Sequence, residues 1–110
     1  MDINIIKIAG YYEIKGTFTI ETRKENNSLR PVINLSTRHS EICYYISKVF
    51  KEYDLKHSII KRVSLFDGDR KFYNLRISNK KNVKVFVTLF DNFFTIKRDE
   101  YLKIKNHIEH

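Results

Sequence analysis

Hydrophobic residues along the chain change their spacing several times, and each change marks an element. Asp2 can cap a first helix of about a dozen residues running from Ile3 to Glu13 and ending near Gly16. After Gly16 the period becomes two. Phe18, Ile20 and Thr22 fall on one face of a strand, and Thr17, Thr19, Glu21 and Arg23 on the other. Glu25-Asn26-Asn27-Ser28 reads as a turn, and Leu29 to Ser36 as a second strand, with Pro31 near its start where a lost donor is tolerable. Ile42, Tyr45, Ile46, Val49, Phe50 and Tyr53 then recur at i, i+3, i+4, i+7, i+8 and i+11, the stripe of an amphipathic helix with Ser40 as its N-cap. A second strand pair spans His57 to Phe66 and Arg70 to Ser78, turned by Asp67-Gly68-Asp69. Asn79 caps a third helix through Val83, Phe86, Leu89 and Phe90. A final helix, Arg98 to His110, carries Tyr101, Leu102, Ile104 and Ile108.

The order αββαββαα predicts an α+β fold: one four-stranded antiparallel sheet with helices on one face and an open polar face on the other. With 110 residues, three Gly and one Pro, residues 1–110 read as a single domain folded nearly end to end. Eight Phe and seven Tyr supply material for a core.

Charge narrows the function. Twenty-one Lys and Arg against thirteen Asp and Glu leave a net charge of +8, which favours a polyanionic partner. The lone Cys43 has no internal disulfide partner and fits a reducing interior, so the protein is expected to be intracellular, in the cytoplasm or associated with the nucleoid. It is read as a buried small hydrophobe. No apolar run approaches transmembrane length, no cleavage signal follows Met1, and no membrane is expected as a partner. His39, His57, His107 and His110 are scattered, and neither CxxC nor HExxH occurs, so no zinc site is expected. Tyr11, Tyr12, Tyr44 and Tyr45 are read as core or interface aromatics.

Ile8-Ala9-Gly10-Tyr11-Tyr12-Glu13-Ile14-Lys15-Gly16-Thr17-Phe18 resembles the LAGLIDADG motif of homing endonucleases with its Ser/Thr-Phe tail. Ala9, Gly10, Gly16, Thr17 and Phe18 match directly, and Ile8 and Glu13 conservatively. Leu35-Ser36-Thr37-Arg38 running into Glu41-Ile42 is similar to the family's second strand and following helix. Tyr73-Asn74-Leu75-Arg76-Ile77 is similar to its Tyr-x-Leu-x-Ile strand, and Lys97 to Lys105 to its basic C-terminal run.

The resemblance implies double-stranded DNA lying along the open face, read in the major groove by strand side chains. It also implies a homodimer through the motif helix on a near-palindromic site, with Ile8, Ala9, Gly10, Tyr12 and Glu13 at the interface. Arg23, Arg30, Arg76 and Arg62, interleaved with Thr17, Thr19, Glu21, Asn34 and Asn74, are the candidates on the open face. Lys61, Arg70 and Lys71 are candidates for phosphate.

The chemistry departs from the family. The position of the metal-binding acid before the last Gly of the motif is Lys15, and an ammonium does not coordinate magnesium. The position that often holds a water-orienting Gln is Thr37. No catalytic residue and no cofactor are therefore expected; Mg2+ would enter only if an active endonuclease survived with displaced ligands. Glu13 is the one residual acid of the motif, about 200° round the helix from Lys15; the resemblance assigns it to bracing. Lys15 is read either as a solvated lysine at a helix C-terminus or as a phosphate contact. Ile14 replaces a small residue and would push paired motif helices apart or change their crossing. The leading expectation is a sequence-specific DNA-binding protein without cleavage activity, acting in transcription regulation. The alternatives are an active endonuclease, an RNA-binding splicing factor of the same fold, and a protein-interaction domain with incidental charge.

Overall fold

The computed structural model describes residues 2–64 and 70–109, the side chains of Ser64 and Arg70 excepted. The elements are α1 (Ile3–Lys15), β1 (Gly16–Thr22), β2 (Leu29–Thr37), α2 (Ser40–Glu52), β3 (Ser58–Ser64), β4 (Arg70–Ser78), α3 (Lys80–Phe90) and α4 (Arg98–Glu109). The expected order αββαββαα is the observed one. The strands form one antiparallel sheet in the order β1-β2-β4-β3, so the two hairpins join through their second strands.

Asp2 caps α1 by accepting from the Asn4 amide at 2.9 Å, and its carboxylate also takes the Tyr53 hydroxyl, which ties α1 to the end of α2. That hydrogen bond is the main reason the Asp2 carboxyl sits below the usual range. α1 passes straight into β1 at Gly16. A Cβ there would lie 2.6 Å from the Tyr12 carbonyl, closer than any side chain tolerates.

Two expected caps differ. Ser40 is the first helical residue of α2, and the cap position belongs to His39, which makes no side-chain cap bond. The bend before it is held by the His39 amide donating to Thr37 Oγ1 at 3.1 Å. Asn79 does occupy the cap of α3, but at φ 77° and without a cap bond, because its side-chain oxygen accepts from Arg23 Nη2 at 3.0 Å. Arg23 lies beyond β1 and closes the first hairpin, its amide donating to Ser28 O at 2.8 Å. β3 starts one residue after the expected His57, which instead contacts Ser47 Oγ and Leu55 O. The expected continuation through Leu65 and Phe66 and the Asp67-Gly68-Asp69 turn lie outside the described residues, as does His110.

The helices cover one side of the sheet. Tyr12, Phe50, Phe86, Phe90, Phe94 and Tyr101 are buried there with Ile8, Ile33, Leu35, Leu75 and Ile77. The Phe86 and Phe90 rings stack at 4.4 Å, and Tyr12 meets Phe86 edge-on at 5.1 Å. Such pairs add about 0.5–1.5 kcal/mol beyond the area they bury. Cys43 is fully buried in the same core. Among the described residues, no helix is long and apolar enough to cross a membrane.

Candidate DNA-binding face and the end of the motif helix

Directly paired residues of an antiparallel sheet point to the same side, so the register sorts every strand residue. Opposite the helices lie Thr17, Thr19 and Glu21 of β1, facing Asn34, Val32 and Arg30 of β2. Across β2 the same face continues with Asn74, Arg76 and Ser78 of β4, paired with Ser36, Asn34 and Val32. Ser58, Ile60 and Arg62 of β3, paired with Arg76, Asn74 and Phe72, complete it. Thr17, Thr19, Glu21, Arg30, Asn34, Arg62, Asn74 and Arg76 are thus brought together on one surface. Lys61 and Lys71 are not: their partners are Tyr73 and Val63, which point to the helix side. Both are exposed there, near the far end of the second hairpin. Arg23 sits at the margin, committed to Asn79. The side chain of Arg70 lies outside the described residues.

The centre of the face is an ion cluster that sequence spacing does not reveal. Glu21 Oε2 lies 2.8 Å from Arg76 Nη2 and 3.4 Å from Arg30 Nη2. The hydrogen bond from Arg76, more than any other effect, holds the Glu21 carboxyl below its usual range; partial burial opposes it. Arg30 Nε is buried with no partner among the described residues.

At one end of the sheet α1 delivers Lys15 to an open groove of about 510 Å³, lined by Lys15, Ser36, Thr37, Arg38, His39 and Phe72. Arg38 lies over the Phe72 ring at 5.2 Å. Lys15 and Thr37, the two positions where the chain departs from the endonuclease pattern, share this groove, and among the described residues no carboxylate lines it. Glu13 is elsewhere: its carboxylate accepts from the amides of Thr95 and Lys97, the latter at 3.0 Å. Among the described residues no three His, Cys, Asp or Glu cluster closely enough to hold a metal. A divalent cation does not fit the groove residues, which offer cations and hydroxyls where it would need anionic oxygens.

The outer face of α1 differs from the expected interface. Ile8, Ala9 and Tyr12 are buried in the core of their own chain, and the half-buried Glu13 carboxylate accepts from the amides of Thr95 and Lys97. What α1 exposes is Ile3, Ile6, Lys7, Gly10, Tyr11 and Ile14, with Ile14 72% exposed. A Cβ at Gly10 would meet nothing within 4 Å. Isoleucine occupies both sides of this helix, so hydrophobicity alone does not separate core from surface; the spacing 5, 8, 9, 12 against 3, 7, 10, 14 does.

The sequence model described as LAGLIDADG endonuclease matches residues 8–108, and the chain belongs to that family. No curated protein sequence matches it significantly. Among solved structures, the homing endonuclease I-CvuI in complex with a DNA target superposes with a TM-score of 0.72 at 11% identity, covering 97% of this chain and 66% of that one. The LAGLIDADG homing endonuclease I-GzeII in complex with DNA gives 0.66 at 14% identity, covering 99% of this chain and 35% of that one. The meganuclease I-AabMI bound to uncleaved DNA gives 0.66 at 9% identity, covering 96% and 36%. At these identities the likeness concerns the fold. The chain spans 66% of the length of I-CvuI and about a third of the other two.

Proposed function

We propose that the chain is a sequence-specific double-stranded DNA-binding protein, a regulator built on the LAGLIDADG fold, that grips a duplex with its open face and does not cut it. The observation that carries this reading is Lys15. The motif helix delivers an ammonium into the groove beside Thr37, with Arg38 and His39 around it and, among the described residues, no acid. Such a groove attracts a phosphate and repels the cation needed to hydrolyse it. The structural neighbours crystallised with DNA support the duplex as partner, as does the net charge of +8.

The outer stripe of α1 supports assembly as a homodimer. Ile3, Ile6 and Ile14 are large exposed apolar residues on one helix face, and Gly10 sits among them. A glycine inside an exposed helix costs about 0.5–1 kcal/mol relative to alanine. Nothing within the chain requires it, since a Cβ would be unopposed. Close approach of a second α1 gives it a reason. Beside Ile14 a small hollow of about 220 Å³ is lined by Tyr11, Leu35, Thr37 and Ile42, which gives a partner's branched side chain somewhere to pack.

The test is selection of bound sequences from random duplex DNA, with the complex sized in solution. A near-palindromic consensus recovered on a dimer, with affinity falling steeply as salt rises, is the expected result. Preference for structured RNA over duplex at equal salt, or no binding to either at low salt, contradicts the proposal.

A further inference from the structure

We propose that Glu21 is a specificity-determining residue of the open face: it withholds Arg30 and Arg76 from indiscriminate phosphate contact and presents them as fixed base-reading groups. This rests on the DNA-binding reading above. A carboxylate at the centre of a surface meant for a polyanion weakens association with any duplex, so its placement there needs a cause. Stability is a poor one, because half-exposed ion pairs contribute on the order of 0–1 kcal/mol. Geometry supplies a better one.

Glu21 is paired with Arg30, and Arg76 with Asn34, so the line from Glu21 to Arg76 crosses β2 diagonally at Val32. Val32 belongs to the open face by register and is nonetheless 2% exposed, outside the main core cluster. By register the cluster straddles it. Both guanidiniums meet the same oxygen, Oε2, each through Nη2, and neither makes another side-chain hydrogen bond among the described residues. Each is tethered at one nitrogen, Arg76 at 2.8 Å and Arg30 at 3.4 Å, while donors remain for a ligand.

Three consequences follow. The cluster carries one net positive charge where two free arginines would carry two, which lowers attraction for phosphate. The arginines gain contacts only where acceptors coincide with their fixed positions, as the N7 and O6 of guanine can. The carboxylate itself accepts from the cytosine amino group and repels other acceptors, so arginine and glutamate together suit a G·C pair and penalise the wrong base.

The experiment compares binding to a random duplex pool, across a salt series, for the wild-type protein and Glu21→Gln. Loss of the charge is expected to tighten random-duplex binding on the order of tenfold and to steepen the log-log salt slope by about 1–2, as freed guanidiniums take phosphates. Selection from the same pool should show a flatter consensus. A second comparison does not depend on that variant folding. Arg76→Ala leaves Glu21 less compensated and should weaken binding more than Arg62→Ala, which removes an arginine of the same face that Glu21 does not hold. If Glu21→Gln binds random duplex no tighter with an unchanged consensus, or if the two arginine variants are equal, the role of Glu21 is overturned while DNA binding stands. If the wild-type protein binds no duplex at low salt, both are overturned.

Discussion

Glu13 Oε2 accepts a 3.0 Å hydrogen bond from the backbone amide of Lys97, and its other oxygen accepts from the amide of Thr95. The single acid left in the motif is therefore a clasp between α1 and the turn that leads into α4. It points away from the groove where Lys15 and Thr37 meet. Glu13→Gln keeps one acceptor and loses the charge. It should cost about 1–2 kcal/mol in urea unfolding, and Glu13→Ala more, with two amides left unpartnered. Neither should alter the response of the protein to magnesium.

Tyr12 is fully buried, and its hydroxyl has no hydrogen-bond partner among the described residues. Its burial, with Cys43 close by, pushes the phenol well above its usual range. A buried hydroxyl without a partner costs about 1–3 kcal/mol. Tyr12→Phe retains the ring packing against Phe50, Phe86 and Phe90 and removes that cost. Thermal unfolding should show equal or higher stability; a loss above about 1 kcal/mol would mean that the hydroxyl is bonded.

Gly10 separates folding from assembly. Gly10→Ala should raise the stability of the single chain by about 0.5–1 kcal/mol, because the helix gains and nothing clashes. The same methyl should weaken a dimer packed on this face, and sedimentation should show more monomer. An unchanged dimer would move the interface off α1.

How far the sequence could be read depended on how locally each feature was written. The start of β1 and the α2 stripe from Ile42 to Tyr53 follow from period alone, because each buries one face and exposes the other, whereas β2 buries Pro31, Val32 and Ile33 in succession. Lys15 was legible because a motif fixes its place to a single residue. Ile8, Ala9 and Tyr12 belong to a motif whose two sides are both apolar, and only the fold shows that they are buried in their own chain. The Glu21 cluster was out of reach. It joins residues 9 and 55 positions apart, and only the β1-β2-β4 register brings them to one oxygen. The same register puts Lys61 and Lys71 on the side of the sheet opposite Arg62, a distinction of one residue that polarity alone does not make.

Asp91 predicts an acid limb. The Tyr101 hydroxyl at 2.8 Å, then Lys105 at 3.1 Å, hold its carboxyl below the usual range and so anchor α4 to the end of α3. A carboxyl depressed on folding adds stability that is present above its unfolded value of 3.8 and lost as pH falls through the folded one. Urea midpoints should therefore drop below about pH 4, and Asp91→Asn should flatten that drop while lowering stability at neutral pH. An unaltered acid limb in the variant would assign the effect to other carboxylates.

The decisive measurement takes the duplex selected by the protein itself, incubates the complex with magnesium or manganese, and reads both strands on a denaturing gel. Intact strands at full occupancy, with binding weakened by Lys15→Ala, are the predicted result. Metal-dependent cuts near the centre of the site, lost on Glu13→Gln, would show instead that an active cation site exists despite Lys15.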